Sequence, residues 1–238
     1  MFFPEKIKNI KSTDRVLEVG PGSLPYFRSD VFLEKVFSEE ESVAQRGFAD
    51  SINIKKKIVY YDGGRFPFLD KEFDYVICSH VIEHIPSDDL PLFISELQRV
   101  AGKGYIEFPT VFYEFICYPL VHLWFMNYRN DCIHFLNKEK FKSNFIHKIY
   151  RDMVYNDNFI SEKLFSNYQE LFFCGFEWNQ KIDYKIVNNF NDLINESDYI
   201  KYKKYFGNKK KDSSIRMIIK KIFNYFYRAL GVIKRKII

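Results

Sequence analysis

The stretch Arg15-Val16-Leu17-Glu18-Val19-Gly20-Pro21-Gly22 ends a short apolar run in an acid and two glycines one residue apart. A run of this length bounded by Gly and Pro predicts a buried strand, and Gly20 and Gly22 let the backbone beyond it turn sharply and approach a ligand closely. Three later segments end at residues able to hold part of a nucleoside. Val31-Phe32-Leu33 stops at Glu34, whose carboxylate can accept two hydrogen bonds from a ribose diol. Lys57-Ile58-Val59-Tyr60-Tyr61 stops at Asp62-Gly63, an acceptor for an exocyclic amine beside a backbone that can come close to a flat ring. Phe73-Asp74-Tyr75-Val76-Ile77-Cys78 stops at Ser79-His80. Ligands of open α/β sheets lie outside the carboxyl ends of the strands, so four such ends in order are what one shared pocket requires.

A metal reading competes for part of this chemistry. As a string, His80-Val81-Ile82-Glu83-His84 matches the zinc pattern H-x-x-E-H, in which two histidines share a helix face and the acid acts as a base. Cys78-Ser79 end a strand just before it, and Pro86 interrupts any helix just after it. Too little helix is left to hold two ligands rigidly, so no metal is expected, and His84 bonded to backbone near the turn is the structural alternative. Cys78, Cys117, Cys132 and Cys174 lie far apart with no CxxC pair. They read as reduced core residues rather than a zinc or disulfide framework.

These residues need a layered scaffold to hold them. Strand signals alternate with helical ones: Ser38-Glu39-Glu40-Glu41 opens an expected helix over residues 38–50, with acids at the positive end of its dipole. A second helix starts at Ser87-Asp88-Asp89-Leu90-Pro91, carries Leu92, Phe93, Leu97 and Val100 at helical spacing and stops at Gly102. Gly104-Tyr105-Ile106-Glu107-Phe108 is a fifth strand. Only ten residues separate Gly20 from Val31, too few for a full helical crossover, so a short turn is expected there. The alternation predicts an α/β fold with a mostly parallel sheet.

The rest of the chain divides by composition. Residues 111–150 are dense in aromatics and carry His122, Trp124, His134 and His147; they are expected to be a helical insertion capping the pocket. Residues 172–178 and 181–187 flank Asn179-Gln180 as a hairpin of two strands that complete the sheet. The expected division is therefore a domain over 1–190 and a tail over 191–238. Residues 201–238 hold 13 Lys or Arg against Asp212 alone, a local charge of +12 in a chain of net charge +5. Residues 215–238 mix this charge with Ile218, Ile219, Ile222, Phe223, Phe226 and Leu230. Such a basic helix suits an anionic membrane surface, with packing on the domain as the alternative. Nucleic acid is not expected, because no recognition motif accompanies the charge. Residues 1–6 lack the apolar core of a signal peptide, and no uncharged stretch reaches the roughly 20 residues of a spanning helix, so a cytoplasmic protein, peripheral on the inner face of the membrane, is expected.

Taken together, Val16 to Gly22, Tyr61-Asp62-Gly63 with Phe66-Pro67-Phe68, and the segment from Phe73 through Glu83-His84 resemble class I S-adenosylmethionine-dependent methyltransferases. The last segment is similar to their small-molecule branch, of the methyltransferase type 11 kind, and the likeness covers residues 13–110. It implies a Rossmann-like, mostly parallel seven-stranded sheet with helices on both faces. It also implies that Glu18, Gly20 and Gly22 line the methionine end of S-adenosylmethionine, Glu34 the ribose, Asp62 and Gly63 the adenine, and Ser79 or His80 the sulfonium. The third glycine of the usual loop is missing, with Leu24-Pro25 in its neighbourhood.

The expected reaction is methyl transfer to a small-molecule, lipid or glycan acceptor. If the acceptor atom is a hydroxyl oxygen, a base near neutrality helps, and His80, His84 and His122 are of the right type. A membrane-binding tail favours a lipid or lipid-linked acceptor. The alternative is an inactive methyltransferase-like scaffold that binds nucleoside at the membrane.

Overall fold

The computed structural model describes residues 1–22, 24–37, 56–141 and 165–198, with the single positions 148, 149, 152, 163, 200 and 203. The main sheet has the order β3-β2-β1-β4-β5-β8. Its strands are β1 Val16–Val19, β2 Val31–Lys35, β3 Lys57–Tyr61, β4 Tyr75–Ser79, β5 Lys103–Pro109 and β8 Phe173–Asn179. The first five are parallel and β8 runs antiparallel to β5. Among the described residues the sheet thus has six strands, not the seven expected. The chain order reverses between β1 and β4, the switch point at which such sheets open a crevice.

Side-chain alternation sorts the two faces. Leu17, Val19, Leu33, Val76, Cys78, Ile106 and Phe108 pack on one face with helix α1, Leu90–Val100. On α1 the buried apolar positions are Leu90, Phe93, Ile94, Leu97 and Val100, whereas Leu92 is exposed. Val16, Tyr75, Ile77 and Tyr105 occupy the other face against Ile7, Ile10 and Tyr26. By the period of two, Glu18, Glu34, Ser79 and Glu107 share that second face, nearer the carboxyl edge. The link between β1 and β2 contains no helix among its described residues, as its length predicts.

The insertion differs from its expectation. After a short helix α2, Val111–Cys117, it forms a hairpin of β6, Trp124–Arg129, and β7, Cys132–Asn137. Asn130 (φ 50°) and Asp131 (φ 55°) make its two-residue turn with both residues left-handed, the geometry that matches the twist of paired strands. The aromatic density was thus strand rather than helix: Trp124, Met126, Ile133 and Phe135 face the main core, and Phe125 and Leu136 face a second cluster with Val187 and Leu193.

The closing hairpin is also corrected. Gln180 (φ 62°) turns the chain, but β9, Asp183–Val187, leaves the main sheet and pairs parallel with β7. A short helix α3, Gln169–Phe172, precedes β8, and α4, Phe190–Leu193, follows β9. Leu193 and Asp198 are buried, with Asn127 Nδ2 donating to the Leu193 carbonyl at 2.9 Å and Arg129 paired to Asp198 at 3.2 Å. Residues 191–198, the start of the expected tail, therefore pack on the hairpin. The helices expected over 38–50 and 215–238, and His147, lie outside the described residues. No helix among the described residues is long and apolar enough to cross a membrane.

Candidate functional site

Strand register lines up the carboxyl ends of the parallel strands. Val19 pairs with Leu33 and Cys78, Glu34 with Tyr60, Lys35 with Tyr61 and Ser79 with Glu107. Gly20, Glu34, Asp62 and Ser79 therefore sit at the ends of adjacent strands on one edge.

The two loop glycines do different work. Gly20 has φ +61° and donates its N–H to the Leu33 carbonyl at 2.9 Å. A Cβ there would lie 2.5 Å from Val81 Cγ2, so the missing side chain lets the exits of β1 and β4 touch. Gly22 has φ +58°, and a Cβ there would meet nothing within 4 Å among the described residues. Its backbone is open to a ligand.

Glu18 is buried one step short of the edge, where its carboxylate accepts the Tyr26 N–H at 2.9 Å and the Ser29 hydroxyl at 2.6 Å. Burial raises its pKa even though both hydrogen bonds oppose the rise. These contacts clamp the loop after β1, so Glu18 positions Gly20 and Gly22. Glu34 is buried at the end of β2; Asp62 is exposed after β3, followed by Gly63 at φ +105°.

A brace from α1, unseen in the sequence, holds the segment after Asp62. Glu96 accepts the Phe66 N–H at 2.7 Å and is forked by Arg99 at 2.6 and 2.7 Å. Arg99 also donates to the carbonyls of Phe66 and Phe68 at 3.0 and 2.8 Å. Burial works against the Glu96 carboxylate, but Arg99 and the Phe66 N–H hold its pKa below the ordinary value.

At the end of β4 the backbone of His80 is left-handed, at φ 57°. Its ring lies between two carboxylates, with Nε2 donating to Glu107 Oε1 at 3.0 Å and Nδ1 3.4 Å from Glu83 Oε1. Burial disfavours its charge, but the hydrogen bond to Glu107 and the charges of both carboxylates outweigh burial and raise the pKa to about 9. An imidazolium has no lone pair to take a proton, which removes His80 as a base at neutral pH. Glu107 also accepts the Tyr105 hydroxyl at 2.6 Å and the N–H groups of Phe2 and Phe3 at 2.6 and 3.0 Å.

The other two candidate histidines come together. Ile82–His84 is a single 3-10 turn, and His122 reaches it from just before β6, with the rings edge to face and centroids 4.6 Å apart. His84 Nδ1 donates to the Val121 carbonyl at 3.1 Å, and burial lowers its pKa, leaving the ring neutral. His122 Nδ1 lies 2.6 Å from Glu114 Oε1, and Lys138 bonds the other oxygen of Glu114. Trp124, by contrast, is buried in the core with its N–H on the Ile85 carbonyl at 2.7 Å. His134 sits in the second sheet, bonded to the Cys132 carbonyl and Arg129.

The family model described as Methyltransferase domain matches residues 2–147, more than half of the chain. This chain belongs to that methyltransferase family. The Rossmann-like order of the chain's parallel strands agrees with that assignment, as does the class I likeness read between residues 13 and 110. No curated protein matches the chain. Among solved structures it is similar to a Bacillus halodurans C-125 protein assigned as a methyltransferase, with 21% identity, 50% of this chain and 58% of that one covered, and a TM-score of 0.35. It is likewise similar to the PH0226 protein of Pyrococcus horikoshii OT3, with 19% identity, 63% and 76% covered, and a TM-score of 0.36. An S-adenosylmethionine-dependent methyltransferase of Thermotoga maritima gives 18% identity, 50% and 58% covered, and a TM-score of 0.34. The chain spans just over half the length of the Bacillus protein.

Proposed function

We propose that this chain moves a methyl group from S-adenosylmethionine to a hydroxyl oxygen of a small-molecule, lipid or glycan acceptor. The observation that carries the reading is the family match over residues 2–147, the span that contains the carboxyl ends of all five parallel strands of the main sheet. The residues present fit the cofactor. Gly22 leaves open space where a side chain would stand, Glu34 offers a carboxylate at the end of β2, and Asp62-Gly63 offers an acceptor and a close backbone at the end of β3. When bound, S-adenosylmethionine supplies a methyl group on a positively charged sulfur, open to in-line displacement.

The chain's own part is to hold the acceptor behind that methyl group and exclude water, and such positioning supplies much of the rate. His84 and His122 favour oxygen as the acceptor atom. Each engages Nδ1 with a carbonyl or carboxylate oxygen, which leaves the Nε2 lone pair as the one able to take a hydroxyl proton. The basic tail favours a lipid or lipid-linked acceptor, since each Lys or Arg near an anionic surface contributes on the order of 1 kcal/mol.

Incubating the protein with methyl-labelled S-adenosylmethionine and separate lipid and soluble extracts tests this directly. Label in an alkali-stable ether of a lipid fraction is the expected product. Label on carbon or nitrogen would overturn the oxygen assignment, and cofactor binding with no labelled product from any fraction would favour the nucleoside-binding scaffold instead.

A further inference from the structure

Glu83, His84 and His122 each present one ligand atom within 4.8 Å of the others. Two further observations separate this group from a chance meeting of polar side chains. The first is the orientation of the imidazoles. A carbonyl can only accept, so the 3.1 Å contact to Val121 places the His84 proton on Nδ1 and leaves a lone pair on Nε2. The Glu114 carboxylate does the same for His122 at 2.6 Å, and Lys138 holds Glu114 in turn. Histidines that bind metal are oriented in this way, by a carbonyl or carboxylate on the far ring nitrogen.

The second observation is the state of Glu83. Its side chain is fully buried, and neither carboxylate oxygen has a hydrogen bond among the described residues. The nearest cation, His80, stands 3.4 Å from Oε1, a distance that gives charge attraction without hydrogen-bond geometry. His80 offsets the charge of this carboxylate from one side, and with no hydrogen-bond donor among the described residues the carboxylate keeps lone pairs for a further cation.

We propose that Glu83, His84 and His122 bind a divalent transition-metal ion of the zinc class. Two imidazole nitrogens and one carboxylate suit such an ion, and three protein ligands leave a coordination position open. The helix too short to carry two histidines is no obstacle, because the second imidazole comes from the segment that leads into the hairpin. Leu123 N–H bonds the Glu83 carbonyl at 2.8 Å and Trp124 Nε1 bonds the Ile85 carbonyl at 2.7 Å, which fix the hairpin to the turn. The use of the ion rests on the methyl-transfer reading. With both Nε2 lone pairs on the ion, His84 and His122 no longer take the proton themselves: an acceptor hydroxyl in the open position loses its proton to water, and the O–H electron pair stays on oxygen, where the ion stabilises it. No electron is transferred to or from the metal.

The test is calorimetric titration of chelator-treated full chain with Zn²⁺, with the visible spectrum of the Co²⁺ form as a second readout. One saturable equivalent is expected, together with a cobalt spectrum of a nitrogen and oxygen ligand set. His84→Ala and His122→Ala should abolish saturable binding, and Glu114→Gln should weaken it roughly 10- to 100-fold, as for an outer partner. Absence of a saturable equivalent in the unaltered chain overturns the proposal, as does unchanged affinity in folded His122→Ala, whose side chain is partly exposed. Should the variants fail to fold by circular dichroism, the cobalt spectrum of the unaltered chain decides alone. S-adenosylmethionine is titrated into the same preparations. Cofactor binding without ion binding removes only the metal site, and ion binding without cofactor binding removes only the methyl-transfer reading.

Discussion

Leu123 donates its backbone N–H to the carbonyl of Glu83 across 2.8 Å. That single bond joins the exit of a core strand to the start of the inserted hairpin, at the place where the rings of His84 and His122 meet. The segment leading into the hairpin supplies His122, one of the three residues that meet here, and the hairpin's aromatic residues seat it on the core.

Gly20 and Gly22 separate packing from ligand access. Gly20→Ala should cost about 2–4 kcal/mol in urea unfolding, combining left-handed strain with overlap on Val81. Val81→Ala in the same chain should recover part of that loss. Gly22→Ala meets no neighbour and should cost only about 1 kcal/mol of stability, while weakening S-adenosylmethionine binding. Equal stability losses for the two would contradict this assignment.

Arg99 acts on the adenine edge from a distance. Arg99→Ala leaves Glu96 and the Phe66 and Phe68 carbonyls without their shared donor, and should destabilise by about 3 kcal/mol and raise the dissociation constant for S-adenosylmethionine. Arg99→Lys should rescue little, because one ammonium cannot reproduce the planar fork. Unfolding curves and calorimetry of the two variants check this.

Glu107 sets an acid limit. Burial pushes its carboxyl up, but His80, the Tyr105 hydroxyl and the Phe2 N–H pull it down to about 2 from the ordinary 4.5. A depressed folded pKa means that this stability is present above about pH 4.5 and is lost as the pH falls through about 2, some ~3 kcal/mol in all. Unfolding free energies measured across that window should fall less steeply for Glu107→Gln than for the unaltered chain. Parallel slopes would show that the carboxylate is not so held.

The tail is tested by sedimentation with anionic liposomes. The full chain should bind and a chain ending at residue 207 should not, and added salt should weaken binding because the attraction is screened. Equal binding by both chains would remove the membrane role.

Much of this molecule can be read from local pattern. The apolar runs ending at Gly20, Glu34, Asp62 and Ser79 each announce a strand with a polar exit, and all four are strand ends on one edge, although β3 lies at the side of the sheet and is only half-buried. The hairpin of β6 and β7 was harder to see, because Trp124-Phe125-Met126 is as consistent with a buried helix as with a strand. Asn130-Asp131 was the available signal, a pair suited to left-handed turns. Glu96, Glu107 and Glu114 carry no local mark of their roles, since their partners Phe66, His80 and His122 come from separate elements. His80 looked like a base because its type is right; the two carboxylates that keep it charged meet it only in the folded chain.

The central claim is that the aligned ends of β1, β2, β3 and β4 hold S-adenosylmethionine. Calorimetric titration of the full chain with that cofactor should give saturable one-to-one binding, weakened at least ~10-fold by Asp62→Ala or Glu34→Ala, the loss expected for one or two hydrogen bonds to a charged group. No binding heat, or binding indifferent to both substitutions, would contradict the account.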